Sequence, residues 1–285
     1  MKYTLFLGCK VPYFVPYYET SSRAILERFG IELADQEFTC CGYPIRFLDF
    51  QAFLYSSARN IALAGTKGRP LLCLCQCCYG TLRYADLLLR KNEALFKQTA
   101  ALLKEEGLRY PAQIEIKHLL HVFAEDIGSQ AIWGSNTRPF KSLKVAVHYG
   151  CHILRPRDVT AFDHPANPTK FETLVEVTGG ISVDWALRLQ CCGDPLRDKN
   201  DPLSAALRQK KMDSARQSEA DVLCVACPHC QMQFTRQPAL SGEGAASGPV
   251  LPSLLYTQLL GLSLGLDEKL LGPIGFDKER YYTSL

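Results

Sequence analysis

Cysteines are the residues of this 285-residue chain with the clearest capacity for chemistry, and ten of the 13 fall into two sets with nearly the same spacing. In each set a single cysteine is followed, after 31 or 40 positions, by an adjacent pair, and a Cys-x-x-Cys begins 34 or 35 positions after that pair. The sets are Cys9, Cys40, Cys41, Cys75 and Cys78, and Cys151, Cys191, Cys192, Cys227 and Cys230. Thiolates bind soft metals and carry redox chemistry, so the spacing predicts two metal or redox sites.

The residues beside the cysteines repeat as well. A glycine precedes both Cys9 and Cys151, and each adjacent pair continues with glycine, one further residue and proline. Because the copies lie about half the chain apart, we expect two similar halves that face each other across a pseudo-twofold axis. The polar segment 128–142 is a plausible linker, which predicts domains at 1–142 and 143–285, and 241–248 reads as a surface loop before the last helix.

Composition favours metal ligands over disulfide bridges. With 47% hydrophobic residues the chain can bury a core and needs no disulfide staples. The apolar run before Gly8 is too short for a signal peptide, which predicts a cytoplasmic protein with reduced thiols. The apolar segment 252–266 is shorter than the roughly 20 residues of a spanning helix, so no membrane span is expected. A net charge of +3 without a basic run argues against a nucleic-acid partner.

Apolar runs place the cysteines at the ends of strands. The segments 3–7 and 144–149 read as strands that end just before Cys9 and Cys151, and 70–74 and 221–225 as strands that lead into the Cys-x-x-Cys motifs. Segments with helical periodicity alternate with these strands at 47–64, 81–103, 117–127, 170–177 and 205–218. The predicted fold class is therefore α/β, with two pseudo-symmetric halves, each a small sheet with flanking helices and a cysteine-rich cluster site.

Five cysteines exceed the four thiolates that a cubane cluster or a structural zinc takes. Adjacent cysteines on an extended strand point in opposite directions, but on a tight turn they can bind two metals of a larger cluster. Gly42 and Gly193 would permit such a turn.

The cysteine spacing resembles the duplicated cysteine-rich CCG domain found in the B subunit of heterodisulfide reductase. The likeness extends to HYGCHILRP at 148–156, CPHCQMQF at 227–234 and QLLGL at 258–262. It implies two non-cubane [4Fe-4S] clusters, each held by one five-cysteine set, in the catalytic subunit of a heterodisulfide reductase-like complex. The partners implied are a ferredoxin-like iron-sulfur subunit and a flavoprotein subunit, and the chain itself has no dinucleotide fingerprint.

In that family a disulfide is cleaved, or formed in reverse, between the two clusters. Cleavage needs two electrons and a cluster typically changes by one, so two clusters match the reaction. Asp194-Pro195 after Gly193 and the segment 10–14 after Cys9 depart from the methanogen pattern. We therefore expect a disulfide or a protein-bound lipoate-type sulfur substrate, in sulfur or aromatic metabolism, and do not infer the methanogen coenzyme pair.

Three alternatives stay open. Zinc could occupy one site or both, and the chain would then be a zinc-stabilised scaffold. A non-catalytic electron-transfer subunit of a redox complex is the second. The third takes Cys227-Pro228-His229-Cys230 as a thioredoxin-like dithiol, but it leaves eight patterned cysteines unexplained.

Three side chains near Cys151 are candidate catalytic residues. His148 and His152 flank this cysteine and could be metal ligands, proton donors to departing thiolates, or ordinary packing residues. Arg155 could pair with an anionic group of the substrate or with a structural carboxylate. Three cysteines lie outside the pattern: Cys73 and Cys224 are predicted to be buried in strands, and Cys77 is not counted as a ligand. The leucines of 254–264 are predicted to be buried within the chain rather than at an interface.

Overall fold

Two four-stranded parallel sheets form the framework of the computed structural model, which describes residues 1–236 and 251–282. In the first sheet the strand order is β2-β1-β3-β4, and in the second it is β6-β5-β7-β8, so the two sheets have the same topology. The strands are β1 (Lys2–Phe6), β2 (Glu32–Ala34), β3 (Leu71–Cys73), β4 (Ile116–His118), β5 (Lys144–His148), β6 (Ile181–Val183), β7 (Val222–Val225) and β8 (Ser253–Leu255).

Helices connect the strands in each half. The first half contains α1 (Lys10–Phe14), α2 (Pro16–Arg28), α3 (Phe50–Gly65), α4 (Gln76–Lys91), α5 (Glu93–Glu105), α6 (Leu119–His121), a π-helical turn (Val122–Ile127) and α7 (Ser129–Gly134). The second half contains α8 (Arg157–Thr160), α9 (Lys170–Glu176), α10 (Asp201–Gln217), α11 (Pro228–Thr235), α12 (Tyr256–Ser263) and α13 (Glu268–Leu271). Both the α/β class and the two similar halves are thus confirmed.

Local signals explain where several helices begin. Asp49 accepts a hydrogen bond from the backbone of Ala52 and caps α3, and Asn200 caps α10 in the same way through Leu203. The single helix predicted over 81–103 was wrong, because Asn92 leaves the helical conformation and caps α5, which separates that helix from α4.

Two further differences concern the end of the first half. The predicted helix over 117–127 begins with strand β4, whose Ile116 and His118 are buried against β3, and only then turns into helix. The predicted linker 128–142 contains the short helix α7. The domain boundary at residue 142 stays a prediction, and the loop predicted at 241–248 lies outside the described residues.

The two halves pack against each other reciprocally. Helix α1 of the first half contacts α11 of the second, and α8, which stands after Cys151 as α1 stands after Cys9, contacts α4 of the first half. The Tyr79 hydroxyl donates to the Thr160 carbonyl at 2.6 Å, and Ser21 Oγ bonds Thr257 Oγ1 at 2.8 Å. A self-complementary contact of this kind is what a pseudo-twofold arrangement requires.

The core runs through both halves as one continuous cluster of buried side chains. The leucines of the C-terminal segment belong to it and are at most 3% exposed, which confirms their predicted burial: Leu254, Leu255, Leu259, Leu260, Leu262 and Leu264. Across 1–236 and 251–282, no helix combines the length and apolar character needed to cross a membrane.

Candidate metal centre

The first cysteine of each set and both Cys-x-x-Cys motifs lie just beyond the carboxyl ends of central strands. Cys9 follows β1 and Cys75 follows β3, and these strands are parallel neighbours, so both cysteines emerge at the same edge of the first sheet. Cys151 and Cys227 follow β5 and β7 at the corresponding edge of the second sheet. Cys75 and Cys227 are the N-cap residues of α4 and α11.

Each adjacent pair of cysteines stands before a tight turn. Gly42 and Gly193 have φ angles of 91° and 88°, the left-handed region that glycine adopts without strain, and a 3-10 turn follows each. At Gly193 a Cβ atom would lie 3.0 Å from the Ser204 carbonyl oxygen, so a side chain there would crowd the backbone of α10. The Gly193 amide donates to Cys191 Sγ at 3.4 Å.

Within each half, hydrogen bonds link the five thiols into a chain. The order is Cys9, Cys40, Cys41, Cys78, Cys75 in the first half and Cys151, Cys191, Cys192, Cys230, Cys227 in the second. Hydrogen bonds from Cys41 and Cys9 lower the pKa of Cys40 to about 2, and bonds from Cys151 and Cys192 lower the pKa of Cys191 to about 2. Each half therefore stabilises at least one thiolate, which is the form that binds metal.

The two sets meet in the middle of the molecule. The Sγ atoms of Cys75, Cys77 and Cys227 lie within 4.8 Å of one another, although they come from different halves. All three are buried. Cys77, which the sequence analysis did not count as a ligand, thus stands where the two sites adjoin.

A cavity at this junction is bordered by side chains of both halves. From the first half come Tyr43, Gln76 and Cys77, and from the second come Cys151, His152, Cys192, Asp194, Pro195, Cys227, His229 and Cys230. Thiols of the second site therefore open onto the same space as Cys77 of the first half.

Of the three candidate catalytic residues, only His152 borders the cavity. Its Nδ1 atom lies 3.3 Å from Cys151 Sγ and 3.5 Å from Cys77 Sγ, and burial lowers its pKa. His148 is fully buried behind the cysteines, where one ring nitrogen lies within 4.8 Å of the Sγ atoms of Cys192 and Cys230. Arg155 is exposed and donates to the Leu189 carbonyl.

The sequence analysis missed an ion pair that borders the cavity. His229 Nδ1 lies 2.5 Å from Asp194 Oδ2. Burial lowers the pKa of His229, but the hydrogen bond to Asp194 and the electrostatic effect of the neighbouring Cys75 and Cys227 outweigh it and raise the pKa to about 9. A comparison of the two copies could have found this pair, because Asp194 and His229 stand where the first half has Tyr43 and Cys77.

A buried lysine near the second site was also missed. Lys211 on α10 is 2% exposed, and its Nζ donates to the backbone carbonyls of Leu187 and, at 3.0 Å, Gln190. The ammonium also lies 4.7 Å from the centre of the Trp185 ring. Gln190 directly precedes Cys191, so this side chain fixes the backbone that leads into the ligand turn.

The donor set of each half suits a polynuclear iron-sulfur group. Five thiols converge in each half, most of them buried, and the backbone approaches them closely: a Cβ on Gly8 would lie 2.8 Å from Cys78 Sγ. Thiolate-only sites of this kind hold iron-sulfur clusters, and four thiolates suffice for zinc. The residues therefore fit the iron-sulfur clusters that the family resemblance implies.

Comparison with known proteins supports the same chemistry. The cysteine-rich domain (CCG) family matches residues 3–83 and again 145–235. The chain is 33% identical to the B subunit of a ferredoxin/F420H2-dependent CoB-CoM heterodisulfide reductase from Methanosarcina acetivorans, over 95% of this chain and 92% of the relative. It is 32% identical to an 8-methylmenaquinol:fumarate reductase membrane anchor subunit of Wolinella succinogenes, over 95% of each.

A solved structure shares the fold. The chain matches a hypothetical protein from Helicobacter pylori with a TM-score of 0.71 and 18% identity, over 95% of this chain and 50% of the other. The chain thus spans half the length of that protein. With the duplicated cysteine motif, the matching sheets and the similarity over nearly its whole length, the chain belongs to the heterodisulfide reductase B-subunit family of duplicated CCG proteins.

Proposed function

We propose that this chain is the iron-sulfur catalytic subunit of a heterodisulfide reductase-like complex. The reaction is the reductive cleavage, or the reverse formation, of a disulfide or related sulfur substrate between two non-cubane [4Fe-4S] clusters. The single observation that carries the proposal is the cavity at the junction of the halves, which thiols of the second site and Cys77 of the first half border together. The proposed ligands are the ten cysteines of the two repeated sets.

When bound, the cluster in each site would supply one electron. The two clusters together would therefore supply the two electrons that cleavage of a disulfide needs. The protein contributes position and protons. A substrate in the cavity would lie beside thiols of the second set and Cys77 of the first half, with Tyr43, Asp194 and His229 also at its border. His152 can hold a proton at a ring nitrogen beside this space and deliver it to a departing thiolate.

The electron partners proposed are a ferredoxin-like iron-sulfur subunit and a flavoprotein subunit. The relatives support a multi-subunit setting, since their names describe them as subunits of larger reductases. A protein-bound lipoate-type disulfide is the proposed substrate class beside small disulfides. Arg155 is the proposed partner for an anionic group of the substrate, because its side chain is exposed.

Metal analysis after anaerobic purification tests the proposal. We expect a brown protein with about eight iron atoms and as many sulfides per chain, and no zinc. A colourless preparation that takes up no iron on reconstitution would contradict it.

An electron-relay or zinc-scaffold role is the alternative. Two observations favour it: the relative from Wolinella is named for a menaquinol:fumarate reductase, and three donor atoms of His148, Cys192 and Cys230 lie within 4.8 Å of one another, a spacing that also suits zinc. Roughly half the iron together with one zinc per chain would support the scaffold, while full iron without disulfide turnover would support the relay.

A further inference from the structure

The two sites are built alike, and residues at equivalent positions can be compared directly. Around the paired cysteines the copies are 151 positions apart, which makes Asn60 on α3 the counterpart of Lys211 on α10. Asn60 Nδ2 donates to the carbonyls of Thr39 at 3.3 Å and Cys40 at 3.0 Å. Lys211 Nζ donates to the carbonyl of Gln190, which is the counterpart of Thr39. Both side chains therefore hold the same stretch of backbone.

Lys211 and Asn60 differ in charge. Lys211 is almost completely buried, and its Nζ lies against the backbone that leads directly into Cys191 of the second site. Among the described residues no carboxylate forms a salt bridge with this ammonium. A buried ammonium is costly unless negative charge compensates it, and the thiolate ligands of a cluster in the second site would supply that charge. Asn60 brings no charge to the first site.

A second pair of equivalent positions also gives the second site a polar side chain that the first site lacks. Around the first cysteine the copies are 142 positions apart, so His148 corresponds to Phe6. Neither ring nitrogen of His148 has a well-formed hydrogen bond to any described residue, and one of them faces Cys192 and Cys230. Phe6 has no N–H to donate. Near the first site Lys10 is partly exposed, so solvent screens its charge.

We propose that Lys211 is a positioning residue that raises the reduction potential of the second site above that of the first. A fixed positive charge in a buried site stabilises the added electron, and hydrogen bonds and charge around the sulfurs are known determinants of cluster potential. An electron that enters the chain therefore comes to rest beside Cys192 rather than beside Cys41. This inference rests on the proposed function, which places a cluster in each site.

An EPR-monitored redox titration of the anaerobically purified holoprotein tests the inference. In the wild type we expect two midpoint potentials. Lys211→Gln should make reduction of the second site about tenfold less favourable, which lowers its midpoint potential by about 59 mV for one electron. The other midpoint potential should stay unchanged. Lys211→Arg keeps the charge and should keep both potentials. Lys97→Gln removes an exposed charge and is the matched control.

Assignment uses Cys41→Ala, which leaves the second site as the source of the remaining signal. That signal must carry the higher of the two wild-type potentials, and a lower one overturns the inference. Unchanged potentials in Lys211→Gln with full iron also overturn it. If Lys211→Gln loses iron, a Cys41→Ala signal at the lower of the two wild-type potentials still overturns the inference. A wild-type chain without iron contradicts the proposed function, whereas full iron with equal potentials contradicts only this inference.

Discussion

The imidazole of His152 contacts thiols of both halves and borders the shared cavity, so its removal should affect chemistry more than assembly. We expect His152→Ala to slow disulfide cleavage by about a hundred- to ten-thousandfold, the range for a lost acid-base group. Iron content should stay at the wild-type level, because the five thiols of each set remain. Turnover with an artificial electron donor, measured beside iron analysis, checks both parts.

His164→Ala is the matched control for this change. His164 is exposed, and among the residues that the structure describes its ring bonds only the amides of Ala166 and Asn167 in its own loop. Its replacement should leave turnover within about twofold of the wild type. Equal rates for the two variants would return His152 to a packing role.

Cys192 should behave differently, since its thiol is a proposed ligand. Cys192→Ala should remove the iron of the second site, about half of the total, and abolish two-electron cleavage. Cys224→Ala is the control: this cysteine is buried in β7, outside the ligand pattern, and its loss should cost about 1 kcal/mol of stability with no loss of iron. A Cys192→Ala protein with full iron and full turnover would refute the ligand assignment.

The ten proposed ligands could be recognised from the sequence because the two sets of cysteines have nearly the same spacing. Lys211 was not, since a lysine in a helix normally reads as a solvated side chain, and its burial depends on how α10 packs beneath the second site. Cys77 was discounted because its own half already supplies five thiols, and its neighbour Cys227 belongs to the other half. Contacts between halves leave no local pattern in a single sequence.

At the level of elements, the turn after each cysteine pair controls the geometry of the site. Gly193→Ala would strain a left-handed backbone and push a methyl group against the Ser204 carbonyl, so we expect a destabilisation of about 2 kcal/mol or more and loss of iron from the second site. Thermal unfolding and iron analysis measure the two effects.

Gly68→Ala separates the two causes of this destabilisation. Gly68 also has a positive φ, of 62°, but nothing lies within 4 Å of a Cβ at this position. This variant should show only the backbone penalty of about 1 kcal/mol and keep all of its iron. If Gly193→Ala were as mild, steric contact at the turn would not be what excludes a side chain.

The central strands were predictable because their apolar runs are short and uninterrupted, as in β1, β5 and β7. The edge strands β2 and β6 were missed, since three residues with mostly half-exposed side chains carry little periodicity. The break between α4 and α5 was missed for another reason. Asn92 interrupts an otherwise continuous helical pattern by a capping hydrogen bond to Leu95, and a single asparagine is a weak signal.

At the scale of the whole molecule, His121 reports on the junction of the halves. Its ring contacts Phe162 of the second half, with the ring centres 4.8 Å apart. Burial, and then the positive charges of Lys170, Lys117 and Arg83, lower its pKa to about 4. Because the folded pKa lies below the unfolded value near 6.5, the stabilisation from neutral His121 is present above pH 6.5 and is lost as the pH falls toward 4.

We therefore expect acidification from pH 7.5 to 5.5 to lower the free energy of unfolding by about 1 kcal/mol through this group alone. His121→Gln replaces the titrating imidazole by a neutral side chain. The difference in the free energy of unfolding between wild type and variant should therefore shrink by about 1 kcal/mol from pH 7.5 to 5.5. Thermal unfolding at the two pH values measures it. A difference that does not change with pH would contradict the assignment.

The reciprocal packing of α1 on α11 and of α8 on α4 makes this chain equivalent to a symmetric dimer joined into one polypeptide. In a dimer of identical subunits every substitution appears twice, so both sites would carry the same neighbours, and dilution would separate them. Covalent joining removes both constraints. The shared cavity persists at any concentration, and one copy can hold Lys211 and His148 while the other keeps Asn60 and Phe6. With the proposed cluster in each site, this difference would give electron transfer between the two sites a preferred direction.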